Sequence, residues 1–238
     1  MRLKLIFQLE NNTLDIQYRK SIISWIKHAL QSYDENLFQE IYNNNNKKTF
    51  TFAPILSNPK FDKEEITMQD NQFSIVFSAY NYIYGLHLYN SFVKQKFRKF
   101  SLNKNSMKLT SIIMIKERQI NKDKIIIKMS SPIICRNHDK TTLKDMYYAY
   151  EKEEFQKYIR INIEEQLIAE NLNTQLLNDF EIIPINAKKL IIPVYEKMIE
   201  CSLGIFELHG SIELLKYLYK AGIGSKKAMG FGLFEIIQ

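Results

Sequence analysis

The chain has 238 residues, with 33 Lys and Arg against 26 Asp and Glu, a net charge of +7 and an isoelectric point near 9.1. A hydrophobic fraction of 45% supplies core material for one large domain or two of roughly 100 to 120 residues, which excludes a disordered chain. The basic excess suits a polyanionic partner such as nucleic acid or a membrane surface, and the wealth of Asn, Lys and Ile also suits an AT-biased genome.

Cys135 and Cys201 form no CxxC and no zinc-spaced cluster with histidine, so they read as two reduced thiols. No apolar run approaches the ~18 residues of a membrane span. The opening strand-like alternation is broken by Lys4 and Glu10, so it is not a signal peptide. A cytoplasmic protein is expected.

In chain order, residues 2–10 alternate as a strand with Leu3, Leu5 and Phe7 on one face. Residues 17–32 read as a helix. At 100° per residue, Ile22, Ile26, Ala29, Leu30 and Tyr33 make one apolar stripe that excludes Lys27, His28 and Gln31. A short helix follows over 35–42, then the polar loop 43–48 of four Asn and two Lys. Residues 49–56, 65–69 and 72–78 are strand-like. A Tyr-rich helix over 80–97 ends in Lys94, Lys96, Phe97, Arg98 and Lys99, and a strand over 107–116 follows.

The second half repeats the order without repeating the sequence. Residues 124–135 form a strand broken by Pro132, and 151–171 a charged amphipathic helix. Strand material at 180–195 is interrupted by Pro184 and Pro193, and a strand over 203–208 follows. Ser211 caps a helix running to Ala221, with Glu213 in its first turn. A loop over 222–230 leads to a last strand over 231–237. The order predicts an α+β chain of two tandem ferredoxin-like (βαββαβ) domains, similar to RNA-recognition folds, over 1–119 and 120–238. The charged run at 117–124 marks the boundary.

Four of the seven glycines fall within eleven residues: Gly222, Gly224, Gly230 and Gly232, with Ser225, Lys226 and Lys227 between them. Here glycines follow a helix and open a strand, the reverse of a dinucleotide fingerprint, and no Gly-Lys-Ser/Thr ending makes a P-loop. A plain connector needs one C-cap glycine. Four glycines with two lysines suit a phosphate-binding loop, with the amides of Ser225 to Lys227 and both ammonium groups as donors.

A helix, then G-φ-G-S-x-x-x-x-G-φ-G, then a terminal strand resembles the signature of the CRISPR-associated repeat-processing endoribonucleases, Cas family six, within the RAMP superfamily. The stretch from Gly204 to Leu208, Leu214 to Ala221, the opening Met-Arg-Leu-Lys and Ser131 to His138 are similar to that family too. The resemblance implies two ferredoxin-like domains and cleavage of repeat RNA in the CRISPR transcript (pre-crRNA) to release guide RNAs. It also implies a metal-free, cofactor-free reaction. The RNA's own 2′-OH attacks the adjacent phosphate and leaves a 2′,3′-cyclic phosphate and a 5′-OH. A base, an acid and a cation on the phosphorane are required.

No carboxylate or His/Cys cluster with metal spacing competes, so the candidates are His, Tyr and Lys. One branch of the family uses a Tyr on the first helix, then a His, then a Lys. Those positions fall on Lys27, Tyr42 and Lys48, so two of the three differ. Another branch uses a first-helix histidine, which His28 matches. His28, Tyr42 and Lys48 (or Lys47) are therefore the expected catalytic set. Arg136 and His138, placed in a polar loop, join the glycine-rich segment as RNA contacts. Arg118, Arg160 and the basic end of the second helix are further candidates, and His87 and His209 are read as structural. The expected partner is CRISPR repeat RNA, with other Cas proteins as further candidates and a monomer or homodimer as the assembly. A non-cleaving RNA-binding relative remains the alternative.

Overall fold

Leu3, Leu5 and Phe7 alternate on one face of β1 (Arg2–Leu9), and all three are fully buried. That face seeds the first of two compact units, Met1–Glu117 and Arg118–Gln238, in a computed structural model that describes residues 1–43, 48–195 and 197–238. The first unit continues with β2 (Thr13–Asp15), α1 (Tyr18–Tyr33), α2 (Glu35–Asn43), β3 (Phe50–Leu56), β4 (Lys60–Phe61), β5 (Glu65–Thr67) and β6 (Gln72–Ala79). It ends with α3 (Tyr82–Lys94), β7 (Lys99–Ser101) and β8 (Ser106–Met114).

The main sheet has the antiparallel order β3-β6-β1-β8-β7. The first and last long strands lie side by side with the β3–β6 hairpin outside them, which is the ferredoxin-like order with one added edge strand. Trp25, projecting from the apolar stripe of α1, ties the layers together. Its ring meets Phe7 edge-on at 4.9 Å and stacks on Phe92 of α3 at 5.1 Å. The Asn81 side chain caps α3 by accepting from the Tyr84 amide. The segment at 65–67 pairs with β2 and β4 in a separate three-stranded sheet.

The second unit contains β9 (Lys124–Met129), β10 (Cys135–His138), β11 (Asp145–Tyr148), α4 (Glu154–Ala169), β12 (Glu181–Val194), β13 (Lys197–His209), α5 (Ile212–Ala221) and β14 (Phe234–Ile236). Its sheet order, β12-β13-β9-β14, is again ferredoxin-like. β12 is an edge strand, and it absorbs Pro184 at a register shift between Pro184 and Asn186. Ser211 caps α5 as expected, accepting from the Leu214 amide at 3.2 Å. The last strand is shorter than expected. Leu233 leaves the ladder because its carbonyl accepts from both Ser130 and Ser131, while the Gly232 amide donates to Pro132. Arg136 to His138 are also not a loop. β9 ends at Met129, before Pro132, and the chain then re-enters extended structure as one strand of the β10–β11 ribbon.

Candidate nucleic-acid interface

Two basic clusters arise, one in each unit. In the first unit, Phe38 and Tyr42 lie four residues apart on α2 and stack with centroids 5.0 Å apart. The ammonium groups of Lys27 on α1 and Lys48 before β3 each lie 5.1 Å from the centroid of the half-buried Tyr42 ring. Both sit at cation–π distance. Burial raises the Tyr42 phenol well above its ordinary pKa. Burial, reinforced by the charge of Lys27, lowers that of Lys48. Desolvation thus keeps the phenol protonated and makes the amine easier to deprotonate.

Lys27, Tyr42 and Lys48 therefore meet. His28 does not join them: one residue on, it is rotated by about 100° around α1, and its exposed ring lies 5.5 Å from that of Phe100 on β7. Lys47 lies outside the described residues.

In the second unit, strand register brings Arg136 opposite Tyr147 and His138 opposite Asp145. His138 Nδ1 is 2.8 Å from Asp145 Oδ1, the Tyr147 hydroxyl donates to Asp145 Oδ2 at 3.0 Å, and the Arg136 guanidinium stands 3.5 Å from the same carboxylate. Burial works against the Asp145 anion. The hydrogen bonds from His138 and Tyr147 and the charges of Arg136 and Lys226 outweigh it and hold the carboxyl below its usual value. Tyr147 is pushed up to about 12 by burial and then by Asp145. The Lys226 ammonium lies 5.9 Å from the Tyr147 ring centroid. Burial lowers its pKa, and repulsion from Arg136 and Lys197 adds to that against the pull of Asp145. This face concentrates the cations of Arg136 and Lys226 around one carboxylate.

The glycine-rich segment is built differently from the expected phosphate loop. The Ser225 amide and hydroxyl both donate to the Ile134 carbonyl, at 2.7 and 3.2 Å. Lys227 is 7% exposed, and its ammonium donates to Gln166 Oε1 at 2.6 Å while Gln166 Nε2 donates to the Gly224 carbonyl at 2.6 Å. Ser225 and Lys227 are thus withdrawn from an outside phosphate. The glycines let backbones touch. A Cβ on Gly224 would stand 2.6 Å from the Ile134 oxygen, and one on Gly232 only 2.1 Å from the Ile223 oxygen. Gly222 leaves α5 with φ 82°, and Gly230 closes the 3₁₀ turn 227–229 with φ 85°. The segment's net effect is to hold Lys226 beside the ribbon.

The supporting residues went unread in the sequence. Asn162 clamps Arg136 by accepting from its amide at 2.9 Å and donating to its carbonyl at 2.7 Å. Asn162 and Gln166 interrupt the buried stripe of Phe155, Ile159, Ile163 and Leu167 on α4. Two amides four apart inside an apolar stripe were the signal available. Asp145 and Tyr147, two apart on one strand face, were another.

Arg160 is committed to the carbonyls of Phe180 and Asn178. His209 pairs with Glu207 at 2.6 Å, and the His87 ring lies 6.1 Å from Tyr33. Among the described residues, no group of three or more His, Cys, Asp and Glu is placed to hold a metal, and no helix is long and apolar enough to cross a membrane.

The chain is thus built from two tandem ferredoxin-like units, the second with a glycine-rich crossing between its last helix and last strand. The family description "CRISPR associated protein Cas6, C-terminal" matches residues 115–236, just over half of the sequence. The chain belongs to the Cas6 family.

Solved structures agree on the fold. The product of a Cas6-related gene from Pyrococcus furiosus is 21% identical with a TM-score of 0.86, covering 100% of this chain and 98% of that one. A RAMP protein described as binding different RNA substrates is 20% identical with a TM-score of 0.82, covering both chains fully. A Cas6 product complex is 12% identical with a TM-score of 0.72, again over 100% of each chain. No curated protein sequence matches the chain significantly.

Proposed function

We propose that this protein binds the repeat RNA of CRISPR transcripts and cleaves it by attack of the 2′-OH on the adjacent phosphate. The products are a 2′,3′-cyclic phosphate and a 5′-OH. The observation that carries this reading is the Lys27–Tyr42–Lys48 cluster, which places two cations around one protonated phenol. Lys27 supplies a fixed positive charge for the phosphorane. Lys48, with its lowered pKa, is suited to move a proton to or from the reacting oxygens. Tyr42 holds the two amines in place and offers its hydroxyl as a hydrogen-bond donor. The cations of the β10–β11 ribbon bind the RNA strand. Family membership supports the substrate, as do relatives described as RNA-binding or as product complexes.

One observation favours a second reading, a repeat-RNA-binding protein that does not cut. The cluster contains no imidazole, because His28 faces Phe100 instead. Incubation with labelled repeat RNA in EDTA separates the two. Cleavage to a cyclic-phosphate end supports the first, and a stable complex of intact RNA supports the second. No binding at all overturns both. If cutting occurs, Lys48→Met is expected to slow single-turnover cleavage ~10²-fold, the usual worth of a general acid or base. His28→Ala should cost far less. The reverse ranking would return the role to His28.

A further inference from the structure

The segment following α3 is not used by either cluster. α3 ends at Lys94, and Lys96, Phe97, Arg98 and Lys99 then form an exposed run. Phe97 has φ 65°, a left-handed conformation that a bulky residue rarely adopts. The fold enforces it. The Phe97 amide donates to the Leu109 carbonyl of β8 at 2.9 Å, the Arg98 amide donates to the Gln95 carbonyl at 3.1 Å, and Gln95 itself is buried. The strained backbone gains little packing from its side chain, because Phe97 is 64% exposed. Strain held in place by its surroundings, at a residue the core does not need, points to a ligand.

The neighbours say which ligand. The Lys96 ammonium lies 5.0 Å from the Phe97 ring centroid, and Arg98 follows directly. Lys94, in the last turn, already complements the helix dipole. Lys96 and Arg98 lie beyond it. Lys99 is taken by Glu10 at 2.8 Å. An exposed aromatic ring with one cation against it and a second exposed cation next in the chain is a combination that stacks an unpaired base while contacting the phosphates beside it.

We propose that this knuckle is a subsite for single-stranded RNA, with one unpaired base stacked on Phe97 and its flanking phosphates on Lys96 and Arg98. This rests on the repeat-RNA reading above and adds a place where an unpaired stretch of the RNA is held.

The test uses the full chain with a short single-stranded oligoadenylate carrying 2-aminopurine, a blunt RNA duplex and the repeat RNA. Phe97→Ala and Phe97→Gly are expected to weaken oligoadenylate binding about tenfold and to abolish its fluorescence quenching. Phe97→Trp should keep both, and duplex affinity should not change. Phe97→Gly suits the left-handed backbone, so its melting temperature should equal or exceed that of the wild type; a packing role would lower it. Unchanged oligoadenylate affinity in both variants overturns the subsite while leaving repeat-RNA binding intact. A shift in oligomeric state of Phe97→Ala by light scattering assigns the knuckle to a protein contact and overturns it too. Failure of the wild type to bind any of the three RNAs removes the functional reading along with it.

Discussion

The glycine-rich segment of the second unit and the α1–α2 region of the first invert the expectation set by composition. The first is the most conspicuous feature of the sequence, and its glycines and one of its lysines are spent inside the protein. Gly224 and Gly232 carry backbones past each other, and Lys227 is tied to Gln166. The second matches only one of the three positions of a related branch's catalytic pattern. It nonetheless gathers Lys27, Tyr42 and Lys48 from two helices and the segment before a strand. A glycine cluster reports where backbones must approach, and a ligand is one reason for that among others. Charges that act on a ligand are read from what surrounds them.

The sharpest way to break this comparison is to give the segment a side chain. Gly232→Ala places a Cβ 2.1 Å from the Ile223 oxygen at a residue with φ 78°. Destabilisation by about 3 kcal/mol or more is expected from chemical denaturation, since clash and backbone strain add. A near-native midpoint would mean the crossing is loose, and the architectural role would fail. On the other side of the comparison, Tyr42→Phe keeps the ring between the two amines and removes only the hydroxyl. It should preserve the fold and slow cleavage about tenfold, the loss expected for one hydrogen-bond donor of modest worth. An unaltered rate would confine Tyr42 to spacing the lysines.

Much of the fold was legible in the chain. The alternation of Leu3, Leu5 and Phe7, the stripe of α1 and the Ser211 cap are local patterns, and local patterns survive into structure. The site was legible only in part. Nothing local separates Lys27, which faces Tyr42, from His28, which faces Phe100, because the difference is one rotation on a helix whose neighbours arrive later in the chain. Arg136 to His138 were read as a loop because Pro132 hid the return to extended structure, and the pairing that restores it comes from Asp145 to Tyr148. The sequestration of Lys227 required knowing that Gln166, 61 residues away, points at it.

Gln166 offers the next test. Its amide satisfies two groups at once, the Gly224 carbonyl and the Lys227 ammonium, and it is 5% exposed. Gln166→Leu preserves volume approximately and removes one hydrogen bond from the buried Lys227 ammonium and one from the Gly224 carbonyl, which should cost about 2 to 3 kcal/mol. Adding Lys227→Met removes the buried charge that has lost this hydrogen bond, so the double variant should recover part of that loss. If Lys227 were instead turned toward RNA, Gln166→Leu would change RNA affinity more than stability, and Lys227→Met alone would weaken binding.

The smallest effect expected belongs to Lys226, and its sign with pH is distinctive. Burial, Arg136 and Lys197 lower its pKa, while Asp145 works the other way. A depressed lysine is a cation at low pH and loses its charge earlier than an ordinary lysine as pH rises. RNA affinity should therefore begin to fall with rising pH below the usual lysine range, and RNA binding should be accompanied by proton uptake, because phosphates favour the charged form. Lys226→Arg keeps the charge throughout and should flatten that part of the pH profile. Lys226→Gln should weaken binding only a few-fold and reduce the salt slope by about one unit, the share of a single phosphate contact. Affinity that falls with pH equally in wild type and Lys226→Arg would place the titrating group elsewhere. It would also leave the glycine-rich segment with a structural role alone.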